Sequence, residues 1–230
     1  MYKRQTHKGG QHVHAVQKLA TSYEHIDPTA VGNQRTISIS DLSGQSNVLV
    51  KAEELGFKFE KGSPEVASIL KEVKRLENEG YEFEAAEASF DLLIRKQLGR
   101  QRPLFDLLEY HCSYRRAGHV EWNKCEATVR IRIEDHEEYT VAGGDGPVNA
   151  LDAALRKALR SFYPEIDQIT LEDYKVRIIG GQAGTAARTR VLIESTDGHS
   201  NWGTVGVSDN LIEASWRALV DSFEYKLRGK

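Results

Sequence analysis

The sequence predicts an α+β protein: a duplicated β-β-β-α module preceded by a small, mostly helical segment. Three observations predict it. Tyr110 and Tyr174 open two similar stretches, and Thr140-Val141 and Thr204-Val205 follow them at the same interval. Each Thr-Val pair runs through a Gly/Asp-rich turn, Gly143-Gly144-Asp145-Gly146 or Gly206-Val207-Ser208-Asp209, into an amphipathic stretch. Those stretches carry Leu151, Leu155, Ala158 and Leu159 in one copy, and Leu211, Ser215, Ala218 and Leu219 in the other. Finally, the hydrophobic period changes from about 3.6 to 2 beyond Arg100-Gln101-Arg102-Pro103. A unit of that size rarely buries its apolar face alone, so the copies are expected to pack together, sheets on one side and helices on the other.

Taken in order, residues 1–47 are rich in His, Gly, Ser and Asn and show little periodicity. Val48 to Leu55 reads as a short helix stopped by Gly56. Ser63-Pro64-Glu65 is a strong helix start: a capping hydroxyl, a proline in the first turn and an acid near the positive end of the dipole. Val66, Ile69, Leu70, Val73 and Leu76 then form one face, and Gly80 ends the helix. A third helix is expected from Glu84 to Leu98, with Ala88, Leu92 and Leu93 inward and Gly99 closing it. The charged, proline-ended run at 100–103 is the best boundary. The division is therefore 1–47, 48–102 and 103–230. In the last part Val129, Ile131 and Ile133 alternate with Arg130 and Arg132, a half-buried strand, and Val191 and Ile193 do likewise in the second copy. Asp197-Gly198 is a hairpin turn. Asp145-Gly146-Pro147 and Ser208-Asp209 supply helix starts.

A length of 230 residues allows one or two domains. A net charge of −3 argues against a dedicated nucleic-acid or membrane-surface binder. No apolar run approaches the roughly 18 residues of a membrane span, and Met1 to Gly10 carry no signal-peptide core. Cys112 and Cys125 are the only cysteines. They are expected on neighbouring strands, reduced, in a cytoplasmic protein. No CxxC suggests a metal pair, and no metal site is expected in this chain.

His7-Lys8-Gly9-Gly10-Gln11-His12-Val13-His14-Ala15 is the most unusual local sequence. Its histidines do not match a structural zinc set. Proton transfer suits a loop imidazole better, because its pKa lies near neutrality. A hydrogen-bonded structural histidine, or a remnant at a chain end, is the plain alternative. Tyr23, in Tyr23-Glu24-His25-Ile26-Asp27-Pro28, is either a phenolic donor or a packed ring.

These residues carry a resemblance. His7 to His12, Tyr23 to Pro28, Val31-Gly32-Asn33 and Leu42 to Asn47 resemble the segment that follows the catalytic barrel in citramalate and isopropylmalate synthases. Gly143 to Val148, Asp173 to Ile178, Ala183-Gly184-Thr185, Thr189-Arg190-Val191 and Trp202 to Ser208 resemble the LeuA-type allosteric, dimerising domain of that family. The likeness covers essentially all of the chain from His7 onward, and Asp173 to Ser208 is closer to citramalate synthases.

The resemblance implies the C-terminal part of an acetyl-CoA-condensing acyltransferase: linker subdomain I over 1–47, helical subdomain II over 48–102, and a regulatory domain over 103–230. The family's barrel, about 250 residues, holds the divalent metal, pyruvate and part of acetyl-CoA. No such barrel lies in this sequence, so no cofactor and no independent activity are expected. By likeness, His12 assists deprotonation of the acetyl-CoA methyl or polarises a water, and Tyr23 orients it, both reaching into the partner subunit's barrel. The same likeness places an effector site between regulatory domains of a homodimer, at Val148, Asn149, Leu171, Tyr174, Ile178 and Ala187. Val148, Leu171 and Ile178 would line an apolar slot. Backbone N–H groups at a helix start would meet the amino acid's carboxylate, and carbonyls or Asn149 its ammonium. For Leu171 and Ile178 the other reading is plain core.

Isoleucine, as feedback inhibitor of isoleucine biosynthesis, is the expected effector. Leucine, in an isopropylmalate synthase, is the alternative, and a free-standing amino-acid-sensing dimerisation module is another. An RNA-binding reading rests on Gly181-Gln182-Ala183-Gly184 and a few arginines. Such a GxxG loop should join two helices, whereas strands flank this one.

Overall fold

The computed structural model describes residues 6–7, 36–37, 45–60, 62–116, 124–180 and 187–228. The chain forms two compact units, Met1–Arg100 and Gln101–Lys230.

In the first unit, the two-residue strands β1 (Thr6–His7) and β2 (Thr36–Ile37) pair in parallel. Three helices follow: α1 (Gln45–Glu54), α2 (Pro64–Asn78) and α3 (Glu87–Gln97). Helix α1 begins before Val48, where the apolar pattern alone placed its start. Helix α2 starts as the sequence requires. Ser63 Oγ accepts the Val66 N–H at 3.4 Å, Pro64 occupies the first turn, and Val66, Ile69 and Val73 are buried. Helix α3 starts at Glu87 rather than Glu84. The Ala86 N–H turns back to the Phe83 carbonyl, and Phe83 packs on Phe90 at 6.0 Å, so residues 84–86 form a turn and not helix. Asp91, 3% exposed, pairs with Arg95 at 2.7 Å, which lies over the Phe57 ring.

The second unit is the duplicated module. Strands β3 (Asp106–Arg115), β4 (Lys124–Ile133) and β5 (His136–Gly144) form one antiparallel sheet, followed by α4 (Pro147–Leu159). Strands β6 (Thr170–Ile179), β7 (Arg188–Thr196) and β8 (Asn201–Ser208) form a second, separate sheet, followed by α5 (Leu211–Leu227). A short 3-10 turn, Pro164–Gln168, joins the copies. Each helix lies on its own sheet. Alternation explains the packing: Cys125, Ala127, Val129, Ile131 and Ile133 are buried on one face of β4, while Ala150, Leu151, Ala154, Leu155, Ala158 and Leu159 are buried on α4. Val191 and Ile193 meet Ala214, Ala218 and Leu219 in the same way.

The duplication extends to fine geometry. Strand register slips between Leu107 and Glu109 in β3, and between Leu171 and Asp173, their counterparts, in β6. Thr140 Oγ1 donates to the Ala154 carbonyl at 2.7 Å, and Thr204 Oγ1 to the Ala218 carbonyl at 2.9 Å. One correction concerns the second helix start. Asn210, not Ser208 or Asp209, is the cap; its Oδ1 accepts the N–H groups of Ile212 and Glu213 at 2.8 and 3.4 Å. Cys112 and Cys125 lie on β3 and β4 as free thiols. Among the described residues no helix is long and apolar enough to cross a membrane.

Candidate functional site

The start of α4 is built by its approach to the preceding turn. Gly144 sits so close that a Cβ there would lie 2.5 Å from the Ala150 nitrogen and 2.6 Å from Asn149 Oδ1. Gly146 is the capping residue, extended at φ −152°, and no side chain caps this helix. Pro147 has no N–H to satisfy. Asn149 Oδ1 accepts the Asp145 N–H at 3.2 Å, which fixes the turn. The first N–H groups of α4 are therefore presented without a side-chain acceptor, the arrangement that suits an anion.

Val148 reaches from this helix to the other repeat. Together with Leu171 and Tyr174 it packs, half-buried, against Val191, Ile193, Ala214, Ala218 and Leu219. In an unbroken strand Leu171 and Tyr174, an odd number of residues apart, would face opposite ways. The bulge between Leu171 and Asp173 places both opposite β7 residues on the helix-facing side: Leu171 against Ser195 and Tyr174 against Ile193. The Tyr174 hydroxyl shares a 2.7 Å hydrogen bond with Ser215 Oγ, which also donates to the Leu211 carbonyl at 2.7 Å. Burial raises the Tyr174 phenol above its ordinary pKa, and the Ser215 bond pulls it partly back. It is a neutral hydroxyl.

Of the six positions suggested by likeness, the structure thus brings Val148, Leu171 and Tyr174 together, with Asn149 adjoining. Ile178 stands further along β6, opposite Thr189 and 73% exposed. It is not core. Its position on the same strand face as Tyr174 leaves a large apolar side chain uncovered next to the cluster. Ala187 is buried immediately before β7. His12 and Tyr23 lie outside the described residues. Among the described residues no cluster of three or more His, Cys, Asp or Glu could hold a metal ion.

Two residues that no sequence motif marks give the repeated tyrosines their polar partners, both near the start of α5. Ser215, by pattern one position of an amphipathic helix, is the partner of Tyr174. Glu213 accepts the Tyr110 hydroxyl at 2.6 Å and pairs with Arg217 at 2.8 Å. The repeated tyrosines were the available signal, because each needed a polar partner once buried. On the outer strands Tyr114, Val176 and Ile178 are exposed on the helix-facing side of the two sheets, opposite Cys125, Val191 and Thr189. Neither helix covers them.

Residues 84–227 match the family described as the LeuA allosteric (dimerisation) domain, and residues 3–81 match the one described as homocitrate synthase post-HMGL domain-like. The (R)-citramalate synthase of Aquifex aeolicus is 52% identical over 221 residues, covering 96% of this chain and 42% of that protein. That of Geobacter sulfurreducens is 48% identical over 221 residues, with the same shares. That of Sulfolobus acidocaldarius is 43% identical over 226 residues, 97% of this chain and 41% of that protein. The chain spans about two-fifths of the length of these curated relatives.

Proposed function

The chain belongs to the LeuA allosteric (dimerisation) domain family, and from that premise we propose that it is the regulatory and linker part of a citramalate synthase, an enzyme condensing pyruvate with acetyl-CoA. It forms a homodimer and binds isoleucine as feedback inhibitor. The observation that carries this reading is the convergence of Val148, Leu171 and Tyr174 beside a helix start without a side-chain cap. A branched side chain sits among the apolar residues, its carboxylate meets the N–H groups at the start of α4, and its ammonium meets Asn149 or neighbouring carbonyls. The uncovered apolar side chains Tyr114, on one sheet, and Val176 and Ile178, on the other, are what a second copy covers.

The likeness to citramalate synthases rather than isopropylmalate synthases supports isoleucine over leucine in this reading. Shape within an apolar slot discriminates two isomeric side chains by only about 1–3 kcal/mol. His12 and Tyr23 serve the condensation only together with a catalytic barrel, whose divalent metal is that barrel's own. Thermal unfolding with isoleucine, leucine and valine, backed by calorimetry, tests this. Isoleucine at about 100 times its dissociation constant stabilises the fold by roughly 2.7 kcal/mol. A shift with leucine alone would transfer the chain to an isopropylmalate synthase. No shift with any of the three would leave a dimerisation module without a sensor. Sedimentation or light scattering reads the dimer directly, and a monomer at high concentration would remove it.

A further inference from the structure

Leu104 is held at both of its backbone groups, each by a different helix. Its N–H donates to Glu224 Oε1 at 3.1 Å, and Glu224 stands on α5. Its carbonyl accepts the Tyr163 hydroxyl at 3.3 Å. Tyr163 is carried by the end of α4: its own N–H bonds to the carbonyl of Leu159, the last residue of that helix, at 2.8 Å. The second carboxylate oxygen of Glu224 accepts the Gln101 side-chain amide. Residues 101–104 open the second unit, so both helices grip the chain where it enters. Leu104 and Glu224 are 7% and 6% exposed, which shields their bond from water.

The connection between the two copies is held differently. By the interval that relates Thr140 to Thr204, the counterpart of Glu224 is Arg160, and that of Leu104 is Gln168. Arg160 pairs with the Asp167 side chain at 2.8 Å, both exposed. An exposed pair of this kind holds little. A buried carboxylate on a backbone N–H thus marks the entry to the unit and not the join between its copies. The two helices also meet beside this grip. The Arg156 guanidinium, on α4, lies over the ring of Phe223, on α5, 4.8 Å from its centroid. It donates to the carbonyls of Ile166 and Ile169 at 2.9 and 2.8 Å. Phe223 adjoins Glu224. At its other end α4 presents N–H groups without a side-chain cap, and Val148, which packs against the second repeat.

We propose that Glu224 and Tyr163 form a clasp through which an amino acid bound at the start of α4 tightens the hold of both helices on residues 101–104. This rests on the reading that the start of α4 and Tyr174 receive the amino acid. It adds the place where binding is felt by the entering chain. The sign follows from the geometry. The clasp closes only when the ends of α4 and α5 stand together, and a ligand that ties α4 to the second repeat favours that arrangement. Such coupling is reciprocal: opening the clasp weakens the ligand by the factor with which the ligand tightens the clasp.

The test is titration calorimetry with isoleucine on the intact chain, on Tyr163→Phe and on Glu224→Ala, with hydrogen exchange of the intact chain with and without isoleucine. Isoleucine is expected to slow exchange in a peptide covering 101–105. Tyr163→Phe deletes one hydroxyl at the end of α4 remote from the effector. It should weaken isoleucine about fivefold or more, the lower edge of ordinary allosteric coupling. Glu224→Ala opens the clasp from the other helix and should act in the same direction. A merely structural role would lower the melting temperature and leave the affinity of the folded protein alone. An unchanged or tighter affinity in either folded variant, or exchange at 101–105 that isoleucine does not slow, would overturn the clasp while leaving the isoleucine site intact. Absence of heat with the intact chain removes the isoleucine site itself, and this inference with it. Should Glu224→Ala fail to fold, Tyr163→Phe and the exchange pattern decide.

Discussion

Gly206 on β8 and Ala214 on α5 are in backbone contact: a Cβ on Gly206 would lie 2.0 Å from the Ala214 carbonyl oxygen and 2.9 Å from the Ala218 nitrogen. No side chain fits between this strand and this helix. Helix α5 sits on its sheet at a distance that only glycine permits. Gly206→Ala must push the helix away from Val191 and Ile193. We expect a loss of about 3 kcal/mol or more, at the upper end of the range for overpacked cores, read as a lowered urea midpoint.

The paired threonine bonds predict paired costs. Thr204 is fully buried, and Thr140 is 7% exposed. Thr140→Val and Thr204→Val each keep the side-chain shape and remove one hydrogen bond to a helix carbonyl. Each should cost about 1 kcal/mol. Denaturant titrations of the two variants should agree closely. A cost confined to one repeat would show that the halves are not energetically equivalent.

Glu224, 6% exposed on α5, accepts the Leu104 N–H at 3.1 Å and the Gln101 side-chain amide. Glu224→Ala strands both donors in a buried place. Each unsatisfied donor costs about 1–3 kcal/mol. The expected signature is local: the Leu104 amide loses its exchange protection, while amides of β7 and β8 keep theirs.

Acid should weaken the 197–200 turn. Lys226 bonds to the Asp197 carboxylate, and the N–H groups of Ser200 and His199 add to it, holding its pKa below the ordinary carboxylate range. The folded-state value is depressed, so the stabilisation is fully present above the unfolded value of about 3.9. It is lost as pH falls through the lower, folded value. Melting temperature followed from neutral pH to about pH 2 should drop less steeply in Asp197→Asn, which starts lower at neutral pH. An unchanged slope would refute the assignment.

The module was legible in the sequence because its signals are local. Thr-Val pairs, Gly/Asp turns and period-2 alternation each report on a few adjacent residues, and Ser63-Pro64-Glu65 fixes a helix start by its own chemistry. What escaped depends on contacts across the fold. The bulge at Leu171/Asp173, which puts Leu171 and Tyr174 on one face, leaves no mark in residue type. Nothing about an isoleucine tells that Ile178 is exposed, nor about a tryptophan that Trp216 lies on Tyr110. Ser208-Asp209-Asn210 contains three acceptable caps, and only the path of the chain selects the last. Similarly, the polar partners of Tyr110 and Tyr174 come from a helix more than forty residues away in sequence.

Helix α5 has two occupied ends. Ser215, near its start, holds the Tyr174 hydroxyl, and Glu224, near its end, holds Leu104 and Gln101, where the chain enters this unit. They stand nine positions apart on the helix, about 13 Å along its axis. In mechanical terms the helix is seated at its Ser215 end by Gly206, where strand and helix backbones touch. The Tyr174 hydroxyl and the entering segment at Gln101 and Leu104 are thus fastened to one and the same helix.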